Sequence, residues 1–167
     1  MIVKNFELKN FINKKKLFLI YGENEGLKED LILEFSKGYS KENTFKYSEK
    51  IKSEIELILT KNIEDITLIF LSNILEKKSK LRNLFEKDKN LICVAVYKDD
   101  HRVLVNLASS FFKSKKIDIS TASINLIIER SRGNRINLLN ELEKISSFSK
   151  GKQKISLDDI VKLTNLG

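Results

Sequence analysis

Leu17-Phe18-Leu19-Ile20-Tyr21-Gly22-Glu23-Asn24-Glu25-Gly26-Leu27-Lys28 is the stretch on which the fold turns. Its first five residues are apolar or aromatic without a break, the composition of a strand buried on both faces. Gly22 to Gly26 form a turn-forming stretch. After it Leu27, Leu31 and Phe35 recur at helical spacing, with Ile32 beside them, so a helix follows and Gly38 supplies its stop. Two more continuous apolar runs, 66–71 and 91–96, are separated by segments of helical period. Ile51, Ile55, Ile58 and Leu59 precede the first of them, after a short strand expected at 44–47, and Leu81, Leu84 and Phe85 precede the second. Apolar strands alternating with helices predict an α/β layer in which the three main runs lie adjacent and parallel, with helices flanking the sheet.

Beyond Tyr97 the strong signals are all helical. Val103, Leu104, Leu107, Phe111 and Phe112 line one segment, Ile124, Ile127 and Ile128 a second, and Leu138, Leu139, Leu142 and Ile145 a third. Ser120 or Thr121 caps the second. Ser156 can cap the amide of Asp159, with Ile155 and Ile160 placed as a hydrophobic staple, so a last helix begins there. The character of the chain changes over 97–102. The expected organisation is an α/β domain over 1–98 and a small helical lid domain over 99–167.

Composition narrows the chemistry. The 167 residues are 41% hydrophobic and 32% charged, a globular mixture. No apolar run reaches the roughly 18 residues that span a bilayer, so no membrane partner is expected. Cys93 has no second cysteine to pair with, which suits a reducing, cytoplasmic setting. With Cys93 and His101 the sole cysteine and histidine, the usual His/Cys zinc site cannot be built, and no metal is expected. His101 is not supported as part of a Ser–His–Asp triad by any G-x-S-x-G elbow. Thirty-one Lys and Arg against 23 Asp and Glu leave a net charge of +8, compatible with a polyanion partner and equally with a solvated lysine-rich surface.

Two motifs have the placement of a nucleotide site without its chemistry. In the phosphate-binding loop G-x-x-x-x-G-K-[ST], backbone amides cradle phosphate, Lys neutralises charge and a hydroxyl holds Mg²⁺. Gly22 and Lys28 fall on the first glycine and the lysine, but Leu27 replaces the second glycine and Glu29 the hydroxyl residue. The reading is a loop that keeps the shape, with ordered amides, and has lost the ligand. The second motif runs from Gly133 to Glu143. It resembles the lid-helix stretch of AAA+ proteins, G-D-x-R-x-x-L-N-x-L-E, and matches at Gly133, Leu139, Asn140, Leu142 and Glu143. Ile136 stands where the phosphate-touching arginine belongs. Arg135, one residue away, is turned about 100° around the helix. Neither motif retains its nucleotide contacts, so no cofactor is expected and the chain is read as ATPase-inactive.

Taken together, LFLIYGENEGLKEDLI (17–32), LEKKSKLRNLFEK (75–87) with the LICVAV run after it, ERSRGNRINLLNELEKI (129–145) and KISLDDIVKL (154–163) resemble the δ subunit of the bacterial DNA polymerase III clamp loader. The resemblance implies an AAA+-like fold without ATPase activity. It implies a role in DNA replication, opening the ring-shaped sliding clamp and placing it on primer-template DNA beside the other clamp-loader subunits. Family members also carry a helical collar domain, which this sequence does not show before it stops at Gly167. They carry a strand–helix unit with an apolar wedge near the position of 49–51, which is missing here. Phe111-Phe112 is the sole apolar aromatic pair and is assigned to the core.

Two other readings compete. An active P-loop ATPase needs an acidic pair directly after a strand. Asp99-Asp100 follow the third strand at a short remove and read better as a solvated turn. A general nucleic-acid-binding module could use the basic clusters, of which Lys77, Lys78, Lys80 and Arg82 are the DNA-contact candidates, with 14–16 and 113–116 as further ones.

Overall fold

The structure, a computed structural model, describes residues 1–12, 14–15, 17–37, 67–149 and 155–164. The strand expected at 44–47, the helix expected over 51–59 and the stop at Gly38 lie outside the described residues. The chain divides into two compact units, Met1–Tyr97 and Lys98–Gly167.

In the first unit β1 (Leu17–Gly22), β2 (Leu68–Ser72) and β3 (Leu91–Val96) form a sheet in the order β2-β1-β3, and both pairings are parallel. Leu17 stands opposite Leu68 on one side and Leu91 on the other. The central position of β1 explains its composition, because a strand paired on both edges and covered on both faces has no solvent side to place polar residues on. Side chains alternate across the sheet. Phe18 and Ile20 join Ile92 and Val94 on one face, under Leu31 and Phe35 of α1 (Glu25–Ser36). Phe18 and Phe35 meet edge to face with centroids 4.7 Å apart. Leu19, Tyr21, Phe70 and Cys93 form the other face, under Phe85 of α2 (Lys80–Lys87). The expected flanked parallel sheet is what the chain builds.

The opening residues carried no expectation and turn out to extend this layer. Ile2 bridges Cys93 in parallel, the Val3 amide donates to the Cys93 carbonyl at 2.9 Å, and Asn5–Asn10 form a 3-10 helix that plugs Leu8 into the core. An apolar pair such as Ile2-Val3 is too short to register as periodicity.

Cys93 is fully buried in β3, and burial pushes its thiol up to about 12. At pH 8 the folded chain is therefore expected to react with a thiol-disulfide reagent at least about 100-fold more slowly than in denaturant, since thiolate is the reactive form. Comparable rates in the two conditions would refute the burial.

The second unit holds α3 (His101–Ser114), α4 (Thr121–Arg130), α5 (Arg135–Phe148) and α6 (Leu157–Thr164). Leu104, Phe112, Ile127, Leu138, Leu142 and Ile160 are buried at its centre. Val103, expected on the apolar face of α3, is 41% exposed, and Ala108 lines the core instead. Phe112 is in the core as expected, with Phe111 packed against it edge to face. Ser120 caps α4 by accepting from the Ser123 amide at 3.1 Å. Ser156 caps α6 as expected, the Asp159 amide donating to Ser156 Oγ at 3.1 Å, and the structure adds the return bond from the Ser156 amide to Asp159 Oδ2 at 3.1 Å. No helix among the described residues is long and apolar enough to cross a membrane.

Candidate functional site

Ligands of open parallel sheets bind outside the carboxyl ends of the strands, where β1 hands over to α1. Gly22 ends β1 with φ +140°, and a Cβ placed there would sit 1.9 Å from the Val96 carbonyl oxygen. Helix α1 begins at Glu25, so Glu23 and Asn24 alone connect it to the strand. This corrects the expected loop. Of the four motif positions between Gly22 and Leu27, Glu25 and Gly26 are already helix, and the shape of a phosphate cradle is not kept.

Asn24 is the physical reason. It is 7% exposed, and its Oδ1 accepts from the Leu27 amide at 3.0 Å while its Nδ2 donates to the Tyr97 carbonyl at 2.9 Å. A helix N-terminus offers its free amides to an anion. Here a side-chain oxygen from within the chain takes one of them. The signal was available in the sequence, since Asn is among the favoured N-caps and stands three residues before Leu27. Leu27 packs against the core under α1. Lys28 is 3% exposed, with Nζ 2.7 Å from Glu25 Oε1, so its charge is answered by its own helix. Glu29 is exposed.

The lid motif lies in the second unit. Arg132 (φ +54°) and Gly133 (φ +64°) make the turn between α4 and α5. A Cβ at Gly133 would meet Leu104 Cδ1 at 3.9 Å, so the backbone angle, not crowding, favours glycine there. Asn134 caps α5 through the Asn137 amide at 3.0 Å, and Ile136 is half-buried in its first turn. Arg135 Nη1 is 2.9 Å from both oxygens of Asp99, with the two side chains 12% and 6% exposed. The solvated turn expected at Asp99-Asp100 therefore holds for Asp100, which is exposed, and not for Asp99. Asp99 is turned inward onto Arg135, and Asp100 caps α3 by accepting from the Val103 amide at 2.8 Å. No local pattern hints at the pairing, because its partners are 36 residues apart. An open groove of about 590 Å³ beside this pair is lined by His101, Asn125, Glu129 and Arg132 among others. Its charges are of mixed sign.

The DNA-contact candidates separate into two kinds. Lys77 and Lys78, on the connection from β2 to α2, and Lys80, the first residue of α2, are exposed. Arg82 is turned inward: its Nε is 2.6 Å from Glu86 Oε1 and its guanidinium lies over the Tyr21 ring, 5.2 Å from the centroid. Burial pushes the Tyr21 phenol up to about 12, so the ring under that cation stays protonated. No group of three or more His, Cys, Asp and Glu suited to a metal occurs among the described residues.

No family model matches the chain, and no curated protein matches it in sequence. Among solved structures it is similar to the DNA clamp loader delta protein YqeN of Bacillus subtilis, with a TM-score of 0.56 and 14% identity. The match covers 95% of this chain and 62% of that one, so the chain spans less than two thirds of the length of the protein it resembles. At this identity the likeness establishes the fold alone, an AAA+-like parallel sheet flanked by helices with further helices after it.

Proposed function

We propose that the chain acts as a non-catalytic clamp-loader component of the delta kind, binding and opening a sliding clamp for loading onto primed DNA. The observation that carries the reading is the fold likeness, which extends over 95% of the chain and so takes in both units. The closed turn at Asn24 supports the absence of ATP chemistry, since the amide a phosphate would seek already donates to a side-chain oxygen. Arg135 supports it again, being committed to Asp99. What remains is a packed frame with surfaces to offer: to the clamp, to neighbouring loader subunits and, through Lys77, Lys78 and Lys80, to primer-template DNA.

The test is capture of the cognate sliding clamp by the immobilised chain, with Mg-ATP calorimetry beside it. The expected result is clamp binding together with no micromolar affinity for Mg-ATP. Absence of clamp binding by the full chain would overturn the loader reading. Turnover of ATP that disappears in Lys28→Ala would overturn the non-catalytic one.

A further inference from the structure

Arg82 and Asn83, neighbours in the first turn of α2, both reach back onto the loop that joins it to β2. Asn83 Nδ2 donates to the carbonyls of Lys77 at 3.0 Å and Ser79 at 2.9 Å, and Arg82 Nη1 donates to that of Leu75 at 3.1 Å. Arg82 is itself fixed from two sides, by Glu86 and by the Tyr21 ring. Three carbonyls of the 73–79 segment are therefore drawn toward the helix. The side chains of Lys77, Lys78 and Lys80 are left facing solvent. Lys78 pairs with Glu76 at 2.9 Å, but with exposures of 87% and 68% that pair is screened by water and yields to a stronger anion.

We infer that Arg82 and Asn83 are positioning residues, holding the loop by its carbonyls so that Lys77, Lys78 and Lys80 form a preformed cation cluster for the phosphate backbone of duplex DNA. The inference rests on the DNA contact proposed above and names the residues that make it effective. Binding costs less when the binding side chains need not be ordered at the moment of contact. Duplex DNA fits better than a single strand, because it carries one charge per roughly 1.7 Å of axis. Single-strand sites add aromatic stacking platforms, and residues 73–80 contain no aromatic.

The experiment uses the full chain in three forms besides wild type: Asn83→Leu, which keeps the branched shape and removes the donors; Arg82→Met, which keeps the stem; and Lys77→Gln/Lys78→Gln/Lys80→Gln. Trypsin cleavage after Lys77 and Lys78, without DNA, reads the loop. Affinity for a short mixed-sequence duplex across a salt series reads the contact. Both single variants are expected to be cut several-fold faster and to bind DNA about three- to tenfold more weakly, with the salt slope unchanged because the cations remain. The triple variant should lose affinity and flatten the slope by up to about 0.9 for each phosphate no longer neutralised. Unchanged cleavage in both single variants overturns the positioning role whatever DNA does, as does faster cleavage at unaltered affinity. A triple variant that binds like wild type overturns the DNA contact itself, and tighter binding of a single strand than a duplex overturns the choice of partner.

Discussion

Gly22→Ala is expected to cost the first unit about 3 kcal/mol or more, enough to leave a marginal domain largely unfolded. Two penalties add. The backbone at φ +140° lies where L-residues rarely go, and the new methyl would stand 1.9 Å from the Val96 oxygen and 2.8 Å from its carbon. Both atoms are main chain in a paired strand. They can retreat only by opening the β1–β3 ladder that the register from Leu17 to Gly22 defines. Gly133→Ala is the control, because it has φ +64° with 3.9 Å of room, and it should cost about 1 kcal/mol. Urea denaturation followed by circular dichroism compares the two. Equal, small losses at both positions would mean that the Val96 carbonyl does not lie against Gly22.

Removing Asp99 should destabilise the second unit well beyond an ordinary surface change. In Asp99→Ala the Arg135 guanidinium, 12% exposed, keeps its charge and loses the two 2.9 Å contacts that Asp99 makes to it, and breaking a buried ion pair costs about 3 kcal/mol. Arg135→Met should be destabilising as well, since it takes the guanidinium away from a carboxylate only 6% exposed. The double variant should then be milder than the sum of the two, with a coupling of about 1–3 kcal/mol. Single losses near 0.5 kcal/mol with no coupling would class the pair with ordinary surface ion pairs.

The parts of the fold that could be read in the sequence are those encoded by neighbours in the chain. β1 and β3 announce themselves as unbroken apolar runs because a doubly covered parallel strand has no polar face to interrupt it, and β2 reads as the same kind of run although Phe70 is its one buried residue. The caps at Ser120 and Ser156 are equally local, each acting on an amide three residues away. The candidate sites were harder for a common reason: their charged and polar groups are used internally. Asn24 reaches Tyr97, 73 residues on, and Asp99 finds Arg135 across the second unit. Composition distinguishes neither from a solvated residue. Arg82 is an intermediate case. Glu86 stands four residues after it and signals an ion pair on the helix, yet nothing local reveals that Tyr21 lies beneath the guanidinium.

The two-residue connection between β1 and α1 also bears on reversibility. A site lost through altered side chains can be regained by altering them back. Here Leu27→Gly with Glu29→Thr would restore the letters of the phosphate motif, while Asn24 continued to hold the helix end and Glu25 and Gly26 stayed wound into α1. Only added chain between Gly22 and α1 reopens the space. Insertions arise less readily than point changes, and this one must be accommodated beside a glycine already packed against the Val96 carbonyl. Rebuilding a phosphate-loop geometry at this turn therefore calls for an insertion as well as point changes.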